Sequence, residues 1–287
     1  MTAPANTTYE PFARQPEYVA LNRCFVRRAV AHFDRLAFLV DLACGVGTMT
    51  ELLAGELVRL GREGQDEPRI LAVDVSTDSL RLAREAFDAA GLRTLVVQGS
   101  GEALPAPNGL ADAVLLGNAI HLFTDKPRLV REVSRVLRAG GVFAFNTAFY
   151  EGGRPDETER FYDEWLKLAL RHVKKKEHER GEARDRTPDR KTSTRAFSNP
   201  WLSPQEYRCL IEEGGLRIVS LTERRVETSR SFLEAIGSYA EFASAYLRRH
   251  PVELASEALA STVAPALDAL GLVTVPRGWL EVIAVKA

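Results

Sequence analysis

The stretch from Phe38 to Thr50, FLVDLACGVGTMT, limits what this chain can fold into more than any other part of it. A continuous apolar run, Phe38-Leu39-Val40, is broken by a single acid at Asp41. A small pair, Ala43-Cys44, then opens into Gly45-Val46-Gly47, after which Met49, Leu52, Leu53, Leu57 and Leu60 recur at helical spacing. That pattern reads as strand, tight turn, helix. Glycines at such a junction let the backbone turn sharply and let a ligand lie against bare main chain. The helix N-terminus beyond them offers unpaired N–H groups to an anionic group. A nucleotide-like ligand is therefore expected, with an ordinary βα turn as the plain alternative.

A second strand, Arg69 to Asp74, follows the charged linker GREGQDEP and ends in an acid about 27 residues after Gly47. An acidic side chain at that strand end can accept the hydroxyls of a ribose. The competing role for Asp74, capping the next helix, is already filled by Ser76, with Asp78 in the first turn and Leu80, Ala83 and Phe87 facing inward. Dinucleotide-binding domains require G-x-G-x-x-G, and here the third position is Thr50.

The D-x-x-x-G-x-G form of Asp41, Gly45 and Gly47 resembles motif I of the Rossmann-like, S-adenosyl-L-methionine (SAM)-dependent methyltransferases. The resemblance implies SAM as cofactor, with Asp41 near the methionine amino group, Ala43, Gly45 and Gly47 along the amino-acid portion, and Asp74 and Val75 at the ribose and its surroundings. After a third strand, Thr94 to Val97, the segment QGSGEALP resembles the family's adenine-framing G-D-A-E-x-L-P. Gly99, Glu102, Leu104 and Pro105 match, whereas Ser100 and Gly101 depart from it. Ser100, where the family usually has aspartate, can still accept a hydrogen bond but reaches less far and carries no charge. A fourth strand, Ala113 to Gly117, ends in Asn118-Ala119-Ile120-His121, and Asn118 and Ala119 resemble the residues beside the transferable methyl group. For His121 two readings stay open, a structural histidine packed under the next loop and a general base or substrate-binding group. A helix over Thr124 to Arg138, stopped by Gly140, and a strand Gly141 to Thr147 complete the pattern. Across residues 36 to 149 the motifs together resemble the ubiquinone/menaquinone-type and related small-molecule branch of the family.

Hydrophobic residues at 45% and charged residues at 27% are ordinary for a packed α/β protein of 287 residues, and a formal net charge of -1 provides no global field that would recruit nucleic acid or a membrane surface. The N-P-P-Y-type signature of nucleic-acid methyltransferases is also absent, since Asn118 is followed by Ala-Ile-His. The three cysteines, Cys24, Cys44 and Cys209, lie far apart without metal-ligand spacing, so neither a disulfide framework nor a metal site is expected. With no signal-peptide pattern and no run of 18 apolar residues, a cytoplasmic protein without a membrane span is expected.

The flanks are less regular. Residues 1 to about 15 read as irregular, followed by an amphipathic helix from Pro16 that carries Tyr18, Leu21, Phe25, Ala29 and Phe33. The resemblance implies that an N-terminal segment can fold over the active site, with Tyr9 and Phe12 lining the substrate pocket. Residues 171 to 195 contain ten Lys or Arg against five Asp or Glu. That excess reads either as a solvated helix end and loop or as a lid for an anionic acceptor. Ser203-Pro204-Gln205-Glu206 is a capping box that restarts a helix running to Gly214. Leu216 to Leu221 reads as a sixth strand and Trp279 to Val285 as a last one. Between them lies a helical insertion with aromatics Phe232, Tyr239, Phe242 and Tyr246, and with Pro265 expected to interrupt the region around Leu254 to Leu270.

The expected architecture is α/β, a seven-stranded, mostly parallel doubly wound sheet with helical lid insertions. The resemblance gives its strand order as 3-2-1-4-5-7-6. The divisions are an N-terminal cover (1–35), a SAM-binding core (36–149), a basic lid insertion (150–200) and the last strands with a helical cap (201–287, the cap about 229–276). The expected activity is methyl transfer from SAM to a small-molecule acceptor. A SAM-binding accessory protein without turnover and a nicotinamide-dependent oxidoreductase are the alternatives, and the acceptor and oligomeric state stay open.

Overall fold

The computed structural model describes residues 7–61, 68–179 and 199–287. Contacts divide the chain into a sheet unit, comprising Pro16–Gly153, Pro200–Arg224 and Trp279–Ala287, and a helical unit drawn from Met1–Gln15, Arg154–Asn199 and Arg225–Gly278.

Seven strands form one sheet: β1 (Phe38–Leu42), β2 (Arg69–Asp74), β3 (Thr94–Gln98), β4 (Ala111–Gly117), β5 (Leu137–Thr147), β6 (Leu216–Thr228) and β7 (Val275–Lys286). Their order is β3-β2-β1-β4-β5-β7-β6, as the resemblance implied. β1 pairs in parallel with β2 and β4, β2 with β3 and β4 with β5, while β7 returns antiparallel against β5. Consecutive residues point to opposite faces, so the central strands bury apolar side chains on both faces, with Asp41 and Asp112 as acidic exceptions in β1 and β4. On one face Leu39, Ala113, Leu115, Val142, Ala144 and Ile283 pack with α2 (Pro16–Val30) and α3 (Thr48–Arg59). On the other, Val40, Val114, Leu116, Phe143, Phe145 and Val282 pack with α5 (Lys126–Val136) and α7 (Pro204–Glu213). Between these helices in chain order, α4 (Thr77–Ala89) covers Ala72 with Leu80, Ala83 and Phe87.

The expected signals set most boundaries. Ser76 caps α4 by accepting from Ser79 N–H, and Ser203 with Glu206 forms the capping box of α7. Strand ends run longer than expected, β6 to Thr228 rather than Leu221 and β5 from Leu137 rather than Gly141, and four further expectations need correction. A short helix, α1 (Glu10–Ala13), occupies part of the N-terminal stretch read as irregular. α2 ends at Val30, short of Phe33. α5 stops at Val136, short of the expected Arg138, because Leu137 already adopts extended geometry and pairs with Ala111 at the start of β5. Arg138, placed by the sequence reading in that helix, donates from Nε to Asp112 Oδ1 at 2.7 Å. Asp112 Oδ2 also accepts from the N–H groups of Ala37 and Phe38 at 2.7 and 2.8 Å. One buried carboxylate thus joins the starts of β1, β4 and β5.

The fourth correction lies in the helical unit, which holds α1, α6 (Glu159–Glu179), α8 (Arg230–Ser238), α9 (Ala240–Tyr246) and α10 (Val252–Leu270). Pro265 does not interrupt α10. Proline removes a helical hydrogen bond, but Leu259, Val263, Ala266 and Leu267 around it are buried, and that burial holds the helix together across the gap. The two insertions that follow β5 and β6 pack together through α6 and α10, where Trp165 Nε1 donates to Leu259 O at 2.8 Å. Of the two N-terminal helices, α1 belongs to the helical unit and α2 to the sheet unit. Residues 171–179 continue α6, and residues 180–195 of the basic segment lie outside the described residues. Among the described residues no helix is long and apolar enough to cross a membrane.

Candidate functional site

The chain leaves β1 toward β2 on one side and meets β4 on the other, which makes the C-terminal ends of these strands a topological switch point. Among the described residues two non-glycine residues have positive φ, Ala43 at 52° and Asn118 at 49°. They follow β1 and β4 directly. Strained backbone of this kind costs on the order of 1 to 3 kcal/mol per residue and gathers at functional sites.

The turn after β1 continues in left-handed geometry at Gly45 (φ 54°) and Gly47 (φ 88°). At Gly47 a Cβ would meet the Phe87 ring at 2.5 Å, so close packing against α4 demands glycine there. At Gly45 a Cβ would meet nothing within 4 Å, which leaves bare backbone facing open space. Asp41 lies beneath this turn, 1% exposed. Its Oδ2 accepts from Thr50 Oγ1 at 2.6 Å, while its buried Oδ1 has no hydrogen-bond partner among the described residues. Burial raises the carboxyl pKa to about 7; the Thr50 hydrogen bonds oppose the rise and the charge of Asp74 adds to it. A buried acceptor with an unused oxygen suits a cationic group.

Asp74, at the end of β2, accepts from Gly45 N–H at 2.8 Å and from Ser76 N–H at 2.9 Å, fastening the glycine turn to the neighbouring strand. Burial pushes its carboxyl up, while the amides of Ser76, Gly45 and Val75 hold it down. Each of its oxygens keeps acceptor capacity beyond one amide bond. The next residue, Val75, is 66% exposed and gives this strand end an apolar edge.

Gly99 N–H bonds to Asp74 O, which brings the 98–105 segment to the same edge. Within it, Ser100 Oγ accepts from Glu102 N–H at 3.2 Å, and Glu102 Oε1 accepts from Asp125 N–H at 3.1 Å at the start of α5. A Cβ at Gly101 would meet the Phe123 ring at 2.7 Å. Its departure from the family pattern therefore has a packing cause.

At the end of β4, Asn118 N–H donates to Asn146 Oδ1 and its own Oδ1 accepts from Ala148 N–H, at 2.9 and 2.8 Å. Asn146 Nδ2 in turn donates to Asn22 Oδ1 on α2 at 2.8 Å. This buried amide chain holds Asn118 in its left-handed conformation, with Ala119 following it. His121, 2% exposed, sits in a 3-10 turn, Ile120–Leu122, with Nδ1 3.2 Å from Thr147 Oγ1 and its ring 4.3 Å from that of Phe149. Thr147 Oγ1 also accepts from Phe149 N–H. Either proton arrangement between Thr147 and the imidazole satisfies the pair, one leaving Nε2 protonated and the other leaving it as the basic nitrogen.

The sheet unit thus brings together Asp41, Ala43, Gly45, Gly47, Asp74, Val75, Ser100, Gly101 and Glu102 along adjacent strand ends, with Asn118, Ala119 and His121 beside them. Tyr9 and Phe12 belong to the helical unit, where Phe12 is buried against Phe232 with ring centroids 4.5 Å apart and Tyr9 meets Tyr239 at 5.2 Å. Thr50, Asn22, Asn146 and Thr147 were missed as site residues. Thr50 was visible in the sequence only as a missing glycine. The asparagines give no local signal, because their partners lie on other elements.

Known proteins resemble the core of this chain in sequence and in fold. The methyltransferase domain family matches residues 40–145. The demethylmenaquinone methyltransferase of Symbiobacterium thermophilum is 32% identical over 117 residues, 40% of this chain and 44% of that protein. The ubiquinone/menaquinone biosynthesis C-methyltransferase UbiE of Enterobacter sp. is 30% identical over 105 residues, 36% of this chain and 39% of that protein. The chain thus spans less than half the length of these curated relatives. Among solved structures, the YcgJ protein of Bacillus subtilis shares the fold, with a TM-score of 0.55 and 16% identity over 92% of this chain and 98% of that one. Residues 40–145 form a domain of the class I, Rossmann-like methyltransferases, whose cofactor is S-adenosyl-L-methionine, and resemble their ubiquinone/menaquinone-type members.

Proposed function

We propose that this protein transfers a methyl group from SAM to a small-molecule acceptor in secondary or cofactor metabolism, by in-line displacement. The observation that carries the reading is the buried Oδ1 of Asp41, without a hydrogen-bond partner among the described residues, beneath the open backbone of Gly45 and one strand away from Asp74. When bound, SAM supplies a methyl group already activated by its sulfonium. The chain's residues hold and align: Asp41 receives the ammonium, the main chain of Gly45 to Gly47 runs along the amino-acid portion, and Asp74 accepts from the ribose hydroxyls. Val75 provides an apolar edge for the adenine, with Ser100, Gly101 and Glu102 framing it.

Asn118 and Ala119 flank the reacting end, and His121 is the candidate general base for an acceptor whose nucleophile must lose a proton. Acceptor choice is assigned to the segments 150–200 and 229–276 together with Tyr9 and Phe12. The basic excess of residues 171–195 favours an anionic acceptor, and the near-neutral net charge disfavours nucleic acid. A cytoplasmic setting fits the cysteine usage.

Calorimetry with SAM and S-adenosylhomocysteine (SAH), followed by a search for methylated products in cell extract supplied with labelled SAM, tests the reading. Binding of both with a labelled product is expected. Failure to bind either would end it, and binding without any product would support a non-catalytic accessory role instead.

A further inference from the structure

The helical unit contains a second concentration of chemistry, largely within the segments assigned to acceptor choice, whose residues the methyl-transfer reading gives no individual role. Arg277, 6% exposed, donates from Nη1 to the phenol oxygen of Tyr162 at 3.0 Å. Arg154 lies with its guanidinium carbon 4.2 Å from the centroid of the same Tyr162 ring and 5.3 Å from that of Tyr246. Two guanidinium groups thus converge on one buried phenol. Burial and the like charge of Arg277 together lower the pKa of Arg154 to about 10, with the Tyr162 phenol opposing them. In this setting each guanidinium loses hydration and each repels the other.

The surroundings are aromatic. The Tyr162 ring is 5.4 Å from Phe161 and 6.2 Å from Trp165, Trp165 stacks on Phe242 at 6.1 Å, and Phe242 meets Tyr246 at 4.4 Å. Planar guanidinium forks held against aromatic faces are preorganised for carboxylate or phosphate oxygens, and the rings suit an apolar body attached to the anion.

We propose that Arg154 and Arg277, with Tyr162 and Tyr246, form a binding site in the helical unit for an organic oxyanion, a carboxylate or a phosphate ester carried on an apolar or aromatic group. The proposal does not depend on methyl transfer. An oxyanion between the guanidiniums would offset their mutual repulsion, Tyr162 would keep Arg277 oriented, and the Tyr246 face would hold Arg154 flat.

The test is calorimetric titration of the full chain at constant ionic strength with inorganic phosphate, phenyl phosphate and benzoate, beside a parallel titration with SAH. At least one oxyanion should bind, the aromatic ones more tightly than inorganic phosphate, and preference between benzoate and phenyl phosphate identifies the head group. Arg154→Gln should weaken that binding about tenfold or more while SAH affinity stays unchanged. Arg277→Lys, which keeps the charge and the volume but loses the fork, should also weaken it, and it serves where Arg277→Gln does not fold. No binding of any of the three at millimolar concentration would overturn the proposal, as would equal affinity in Arg154→Gln, or a parallel fall in SAH affinity showing that the substitution acts through the fold.

Discussion

Thr50 fixes one oxygen of Asp41 and leaves the other without a hydrogen-bond partner among the described residues, and the consequences can be measured at single residues. Asp41 is held near a pKa of about 7 in the folded protein against roughly 3.9 unfolded, so the native state binds more protons across that interval. Stability fully present below about pH 4 is therefore progressively lost as pH rises and is gone once pH passes through about 7. Asp41→Asn should flatten that slope in urea melts at pH 5 and pH 8. It should also remove the rise in SAH affinity with pH that a carboxylate serving an ammonium requires. Asp74→Ala should weaken SAH by about 1 to 3 kcal/mol in calorimetry, and unchanged affinity would sink the ribose role. His121→Ala should lower kcat by roughly 100-fold with SAH affinity intact if the imidazole is the base. A variant with lowered Tm and full turnover would instead leave it as packing between Thr147 and Phe149. The glycines and both strand-end acids were legible because their chemistry is local. The partner of Asp41 was not, since a threonine in a helix carries no sign of the strand beneath it.

At the scale of elements, Asp112 has the same character as a cap, but across three strands. Burial alone would raise its carboxyl; the Arg138 hydrogen bond, the amides of Phe38 and Ala37 and the charge of Arg35 together hold it below the usual carboxylate range. Its contribution is present above the unfolded value of about 3.9 and is lost as pH falls through the lower folded value, so it belongs to the acid limb of the stability curve. Asp112→Ala should cost on the order of 1 to 3 kcal/mol in urea unfolding, because it removes the acceptor of Arg138 Nε and of the part-buried Ala37 and Phe38 amides, and it should remove part of that acid limb. Helix starts were readable from Ser76 and Ser203, whose caps lie within four residues of their partners. The early end of α5 was not, because Arg138 is a good helix former and the carboxylate that draws it into β5 lies 26 residues earlier. Pro265 was misread for the same reason in reverse, since local propensity argued for a break that the buried face of α10 overrides.

For the whole molecule, the sheet order was legible only through motif resemblance, as periodicity fixes strands and not their neighbours. The allocation of α1 and α2 to different units left no mark on the sequence. SAH at 100 times its Kd should stabilise the protein by about 2.7 kcal/mol, read as a rise in Tm, and hydrogen exchange should slow at the ends of β1, β2 and β4. One further feature concerns inheritance. The helical stretch between β6 and β7 leaves and re-enters the chain at neighbouring points, with Thr228 Oγ1 donating to Val275 O at 2.6 Å and Thr274 Oγ1 to Glu227 at 2.9 Å. Loop-closure entropy grows only slowly with the length between two such fixed points. A lineage can therefore lengthen, replace or reshuffle what lies between Thr228 and Val275 while the pairing of β5 with β7 is copied unchanged.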